Sequence, residues 1–176
     1  MKLLDKNKNK FTFWLLLWLI FFIVCTARIY FSLQLEGKKV STLNELPLPT
    51  WGIVLFFSLS IIFLVFVSVI ISYFIALIFF KGTSFHVKHD IKRKLYLSYM
   101  GGYTIYNILY LLFTLLYQKA YQSSQRQIVN IFLYLFISFL IIITLKRGKN
   151  LKLEKIVEYA LMIFLINSVI FIHPTF

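Results

Sequence analysis

Charged residues, and acidic residues above all, are scarce in this sequence. Only 14 % of its 176 residues are charged, with six Asp and Glu against nineteen Lys and Arg. Soluble globular domains carry about 25 % charged residues. Because 60 % of the residues are also hydrophobic, the composition excludes an ordinary soluble domain and predicts an integral membrane protein.

Motifs for disulfides, metals and cofactors are missing as well. The single cysteine, Cys25, excludes an internal disulfide framework. His86, His89 and Asp90 are metal-ligand types at near-helical spacing. However, the third histidine, His173, is predicted to lie across the membrane from them, and the other acids are distant in the sequence. We therefore predict no metal site and no cofactor.

No recognisable catalytic set is present either. The sequence has no His-Glu-x-x-His motif, no acid pair suited to an aspartic membrane protease, and no serine with a histidine at the same depth. Arg28 and Glu158 lie near the ends of apolar runs, where long side chains can extend to water. We predict that the protein is not an enzyme. An embedded enzyme, the less favoured class, would depend on His86 or His89.

What the sequence does contain is five long apolar runs. A membrane span needs roughly 17–25 mostly apolar residues to cross a hydrocarbon core about 30 Å thick. The runs cover residues 11–31, 51–80, 96–117, 128–145 and 156–172. They predict an all-α polytopic bundle of five transmembrane helices in one domain, 1–176. The first run also resembles a signal peptide, but its length favours an uncleaved anchor.

Basic residues alternate between the two sides of this predicted bundle. Fourteen of the nineteen Lys and Arg residues lie in segments 2–10, 81–94 and 146–155, and five lie in the segments between. Because short cytoplasmic loops retain Lys and Arg, we predict a cytoplasmic amino terminus and an outer carboxyl terminus. The basic residues form no stripe on a soluble domain, so no nucleic-acid interface is expected.

Tyrosines recur along one side of the third predicted span. They are spaced three, four or seven residues apart, with Phe113 at the vacant position, and so project from one helix face. A buried hydroxyl requires a hydrogen-bond partner. We expect this tyrosine face to be the packing seam of the bundle or a groove for a partner helix or lipid. Its residues are Tyr96, Tyr99, Tyr103, Tyr106, Asn107, Tyr110 and Tyr117, of which Tyr96, Tyr99 and Tyr117 also suit the membrane interface.

Small residues four positions apart occur in the second and third spans. Ser98 and Gly102 form one such pair, and the second span contains Ser68, Ser72 and Ala76. Small residues at this spacing allow helix backbones to approach closely. We therefore expect the second and third spans to pack against each other.

The basic loop before the third span also contains apolar residues. Phe85, Val87, Ile91 and Leu95 are interleaved with basic residues, a pattern typical of a short helix on a membrane surface. Anionic headgroups attract such clusters. The residues predicted to face anionic lipid are Lys88, Lys92, Arg93, Lys94, Lys146 and Arg147.

A resemblance to a known family rests on residues 79–113, FFKGTSFHVKHDIKRKLYLSYMGGYTIYNILYLLF. A basic loop with Gly-Thr-Ser-Phe leads into a span rich in tyrosine and small residues, which resembles the Yip family of five-span membrane proteins and its bacterial members. The likeness extends over about residues 50–172. It implies a non-enzymatic role, in membrane organisation or as an accessory subunit. In bacteria the family includes a partner of an ABC-type efflux system that protects against a toxic peptide.

These features together predict a non-enzymatic accessory or scaffold protein of the bacterial inner membrane. Its expected partners are the lipid bilayer and a membrane protein complex or a second copy of itself, with an ABC-type efflux or toxin-protection system implied by the resemblance. The alternative is a component of a small-solute transporter. In that case Asn107 would line a cavity near the internal break at Gly101 and Gly102.

Overall fold

Helices make up the regular structure of the described chain. The structure, a computed structural model, describes residues 2–35, 49–82, 85–119, 123–147 and 151–171, and side chains within 12–35, 49–82, 89–119, 125–147 and 151–169. The helices are α1 (Lys2–Leu35), α2 (Thr50–Phe79), α3 (Phe85–Tyr117), α4 (Ser123–Lys146) and α5 (Leu153–Phe171). These described residues contain no strand. The predicted all-α class is confirmed.

Four of these helices are long and apolar enough to cross a membrane. Among the described residues, the candidate spans are Thr12–Leu35, Thr50–Phe79, His89–Tyr117 and Gln125–Lys146. Water is absent from the bilayer core, so an apolar run must satisfy its own backbone N–H and C=O groups, and an α-helix does this within one segment. The four candidates correspond to the first four runs predicted from the sequence.

Helix α5 is not one of these candidate spans. It has 19 residues, and its first two turns contain Glu154, Lys155 and Glu158. Tyr159 and Asn167 on one face are buried, whereas Leu165 and Val169 on the opposite face are exposed. The fifth predicted run is therefore helical, and its passage through a membrane stays a prediction.

Proline and left-handed backbone conformations mark several helix ends. The carbonyl of Pro49 accepts hydrogen bonds from the N–H groups of Gly52 at 2.7 Å and Ile53 at 3.3 Å, at the start of α2. Gly82, after α2, has φ 91°, and Gln118, directly after α3, has φ 49°. A left-handed residue at this position commonly ends a helix, so these residues separate α2, α3 and α4.

The chain divides into two compact units that share α2 and α3. The first unit comprises Met1–Ile62 and Thr104–Ala120, and the second comprises Phe63–Tyr103 and Tyr121–Phe176. The first therefore contains α1 with the start of α2 and the end of α3. The second contains the rest of α2 and α3 together with α4 and α5. The prediction of one transmembrane domain over 1–176 stays a prediction.

One cluster of buried residues in the first unit has an aromatic pair beside it. Cys25, Ile29 and Val54 are buried together, and Tyr30 packs against them. The ring of Tyr30 stacks on that of Trp51, with centroids 5.1 Å apart and planes 9° apart. Tyr and Trp are enriched where a membrane protein meets the headgroup region, so the pair is of a kind that suits a membrane interface.

Small residues of α2 lie inside the core of the second unit. Ser68, Ser72 and Ala76 are all buried, and the Ser68 hydroxyl donates to the carbonyl of Leu64 at 2.8 Å. Because the acceptor is in the preceding turn of the same helix, the Ser68 hydroxyl has a hydrogen-bond partner without a second helix. The helices α4 and α5 contact each other in the same unit.

Candidate functional site

A buried tyrosine, Tyr99, is the centre of a hydrogen-bond network in the second unit. Its side chain is fully buried. Its hydroxyl lies 2.6 Å from Ser72 Oγ, where either oxygen can be the donor, and it accepts a hydrogen bond from Asn167 Nδ2 at 2.7 Å. One residue of the tyrosine face thus joins α2 to α3 and α3 to α5.

A second tyrosine extends this network between α5 and α2. The Tyr159 hydroxyl donates to the carbonyl of Ser72 at 2.7 Å. The centroid of the Tyr159 ring lies 5.9 Å from the ring centroid of Phe79 and 5.4 Å from that of Phe80. We refer to the residues joined by these hydrogen bonds, Ser72, Tyr99, Tyr159 and Asn167, as the Tyr99 network.

The chemistry of the Tyr99 network is that of helix packing. Its members are hydroxyl and amide groups, which exchange hydrogen bonds and are neutral in water near pH 7. Hydrogen bonds between membrane helices contribute roughly 0.6 kcal/mol on average and at most about 2 kcal/mol. Around Tyr99, therefore, the tyrosine face serves as a packing seam.

The small pair of α3 packs against α4. Ser98 Oγ lies 3.0 Å from Thr144 Oγ1, and a Cβ atom built on Gly102 would lie 2.5 Å from Ile137 Cγ1. The expected contact between the second and third spans is made by the neighbouring Tyr99, whose hydroxyl lies 2.6 Å from Ser72 Oγ of α2. The small pair and Tyr99 therefore contact different helices.

An arginine inside a candidate span is the centre of a different polar group, in the first unit. Arg28 Nη1 donates to Asn107 Oδ1 at 2.8 Å. The guanidinium carbon lies 4.3 Å from the ring centroid of Tyr110 and 5.0 Å from that of Tyr106. Asn107 and Tyr110 are buried. We refer to these four residues as the Arg28 cluster.

Arg28 lies near the carboxyl-terminal end of α1. It is seven residues before Leu35, the last residue of α1, which is about 10 Å along the axis. The sequence predicts that an arginine here can extend its charge to water. In the structure Arg28 is half-buried, with its guanidinium against two aromatic rings and an amide, and its access to water stays a prediction.

The charge of Arg28 has no acidic partner in the described part of the chain. Asp90 forms an ion pair with Lys94. The cost of inserting an arginine into a membrane helix is at most about 2.5–3.5 kcal/mol, the value at the helix centre, and a guanidinium over an aromatic ring recovers about 0.5–2 kcal/mol. The tyrosine rings and Asn107 therefore offset much of the cost of keeping this cation in the span.

Two buried polar atoms, one on Asn107 and one on Ser32, a helical turn along from Arg28, have no hydrogen-bond partner among the described residues. These atoms are Asn107 Nδ2 and Ser32 Oγ. Asn107 uses its amide oxygen for Arg28, and Ser32 lies four residues after Arg28, on the same face of α1. The sequence carried two signals for this cluster. Tyr106, Asn107 and Tyr110 belong to the predicted tyrosine face, and Arg28 is the one charged residue in 11–35.

The other residues of the tyrosine face have varied surroundings. Tyr96 and Tyr103 are half-buried. The ring centroids of Tyr96 and Phe66 lie 6.2 Å apart. Tyr117 is 64 % exposed, with its ring 4.8 Å from that of Phe113. Tyr117 therefore has the exposed position at a helix end that an interface anchor requires.

The basic residues predicted to face lipid are partly engaged with the protein. Lys92 Nζ lies 5.8 Å from the ring centroid of Tyr73, and Lys94 forms an ion pair with Asp90 at 2.5 Å. Ion pairing lowers the charge that Lys94 offers to a headgroup. Of the remaining residues, Arg93 is half-buried, Lys146 and Arg147 are exposed, and Lys88 lies outside the described side chains.

Among the described residues, no three His, Cys, Asp or Glu side chains come close enough to hold a metal ion. His89 and Asp90 are exposed. The other two histidines, His86 and His173, lie outside the described side chains.

No family model, curated protein or solved structure matches the chain. Membership of the Yip family therefore stays a prediction that rests on residues 79–113. The function must be inferred from the contacts of the protein's own residues.

Proposed function

We propose that the protein is a non-enzymatic accessory or scaffold protein of the bacterial inner membrane. It would cross the bilayer five times, with its amino terminus in the cytoplasm, and would bind a membrane partner complex. The observation that carries this proposal is the Tyr99 network, in which hydroxyl and amide groups of three helices bond to one another. Polar groups that bond to one another stabilise a helix bundle, and their hydrogen-bonding capacity is used within the protein.

The partner surface is best sought on α1. In its apolar window 17 % of the residues are buried, against 33 % in each of the other three candidate spans. Leu16, Ile20 and Ile23 lie on one face of the helix and are 49 %, 50 % and 54 % exposed. Such a face suits an apolar transmembrane helix of another protein. An ABC-type permease is the partner class implied by the resemblance to the Yip family.

Photo-crosslinking from Ile20 tests this proposal. A photoreactive phenylalanine at position 20 is expected to form a discrete adduct with one membrane protein in native membranes. The same protein should co-purify in a stoichiometric amount after mild detergent extraction. The measurement is mass spectrometry of the adduct and of the purified complex.

A matched control uses an exposed residue on another helix. Phe132 of α4 is 65 % exposed, so a photoreactive phenylalanine there would face lipid. The probe differs little in shape from the native side chain. An adduct of equal yield from position 132 would contradict a specific surface on α1. Lipid adducts alone at both positions, with the protein purified as a single species, would contradict the accessory role.

A solute-transporter component is the second candidate, and Asn107 favours it. This residue is fully buried, and its Nδ2 atom has no hydrogen-bond partner among the described residues. Polar groups inside membrane spans often mark the path of a solute or ion. If this function is correct, the purified protein alone should bind or move a solute, and Asn107→Leu should abolish the activity.

A further inference from the structure

Hydrogen-bond donors are in excess at the Arg28 cluster. A guanidinium group has five N–H donors, and Asn107 Oδ1 takes one of them. The adjacent Asn107 Nδ2 is a donor without a partner, and so is the hydroxyl of Ser32. Guanidinium and amide N–H groups bond only to acceptors, and the Ser32 hydroxyl can donate as well. Beside a positive charge an anionic acceptor is favoured.

The depth of the cluster indicates which anion is within reach. Tyr30, two residues after Arg28, stacks on Trp51, and such aromatic residues lie at the headgroup level. Two residues correspond to about 3 Å along the helix. Arg28 is therefore just inside the level where lipid phosphates lie, and Ser32 is one turn nearer to the membrane surface.

We propose that Arg28, Asn107 and Ser32 bind the phosphate group of an anionic membrane lipid, in the leaflet at the carboxyl-terminal end of α1. This inference rests on the proposed membrane location. The planar guanidinium can donate two parallel hydrogen bonds to phosphate oxygens. Asn107 Nδ2 and the Ser32 hydroxyl add neutral donors to the same group, while the rings of Tyr106 and Tyr110 hold the guanidinium in place.

The test is titration of the purified, full-length protein with phosphatidylglycerol in a neutral detergent, read by native mass spectrometry. Arg28→Gln is expected to weaken binding at least tenfold. Ser32→Ala, which removes one neutral donor and is a small change, is expected to weaken it two- to threefold. Lys119→Gln is the matched control: this exposed residue has the same charge and follows α3, and its replacement should leave the affinity unchanged.

The choice of ligand separates a phosphate site from other possibilities. A galactolipid that lacks phosphate should not bind. Equal affinity for palmitate would show a carboxylate site, such as one for an acidic side chain of a partner helix, and would overturn the proposal. Unchanged phosphatidylglycerol binding in both Arg28→Gln and Ser32→Ala, with helicity and monodispersity preserved, would overturn it as well.

Failure of this inference is distinguishable from failure of the proposed function. If alkaline carbonate extracts the protein from native membranes, the membrane location itself is wrong. If the protein resists extraction and the Ile20 adduct forms, while Arg28→Gln keeps its lipid, only the phosphate site is contradicted.

Discussion

Tyr99→Ala is expected to lower the free energy of unfolding by about 3–5 kcal/mol, the range for large aromatic side chains removed from a core. Tyr99 is fully buried, so the substitution leaves a cavity among α2, α3 and α5. It also removes the hydroxyl that bonds to Ser72 and Asn167. Buried polar groups left without partners cost about 1–3 kcal/mol where they find no replacement.

Unfolding of the detergent-solubilised protein with increasing dodecyl sulfate, followed by tryptophan fluorescence and circular dichroism, would measure this effect. Tyr99→Phe keeps the ring and removes only the hydroxyl, so its loss should be about 0.6–2 kcal/mol. Tyr117→Ala removes a tyrosine that is 64 % exposed and should change stability by less than about 0.5 kcal/mol. Equal losses for Tyr99→Ala and Tyr117→Ala would contradict the network.

Helix content and the first four apolar runs could be predicted from the sequence because they depend on local composition. An apolar run of 20 residues has few alternatives to a helix in a bilayer. The spacing of the tyrosines likewise identified one helix face. Sequence spacing showed that Tyr99 and Tyr110 share a side of α3, and both are buried.

The partners of these residues could not be predicted, because they depend on how helices are placed in space. Arg28 and Asn107 are 79 residues apart, and no local pattern links them. Position near the end of a run predicts that Arg28 can reach water, but it gives no indication of the bond from its guanidinium to Asn107. Asn167 lay in the fifth run without any periodic signal, yet it donates to Tyr99.

The small pair on α3 shows the same limit. Spacing of four residues identified a helix face suited to close approach, but it holds no information about which helix approaches. The structure places Ser98 beside Thr144 and Gly102 beside Ile137, both in α4. The contact between α2 and α3 that the small residues predicted is made instead through Ser72 and Tyr99.

Gly102→Ala is expected to destabilise the protein by about 1–3 kcal/mol, the usual cost of overpacking. The added Cβ would lie 2.5 Å from Ile137 Cγ1 and 3.4 Å from its Cδ1. Isoleucine in a helix has one strongly preferred χ1 rotamer, so Cγ1 cannot move away without cost. The neighbouring Gly101→Ala is the matched control, since its Cβ would lie 3.9 Å from Leu140 Cδ1, an ordinary contact.

The two substitutions should therefore have opposite signs, since an alanine in a helix is favoured over glycine by about 1 kcal/mol where space permits. Ile137→Ala removes the two atoms that the new Cβ would meet, at a cost of about 2–5 kcal/mol by itself. Combined with Gly102→Ala, it should cost less than the two single losses together, because residues in contact couple by about 0.5–3 kcal/mol. Additive losses in this double-mutant cycle, measured by the same unfolding assay, would mean that Gly102 does not face Ile137.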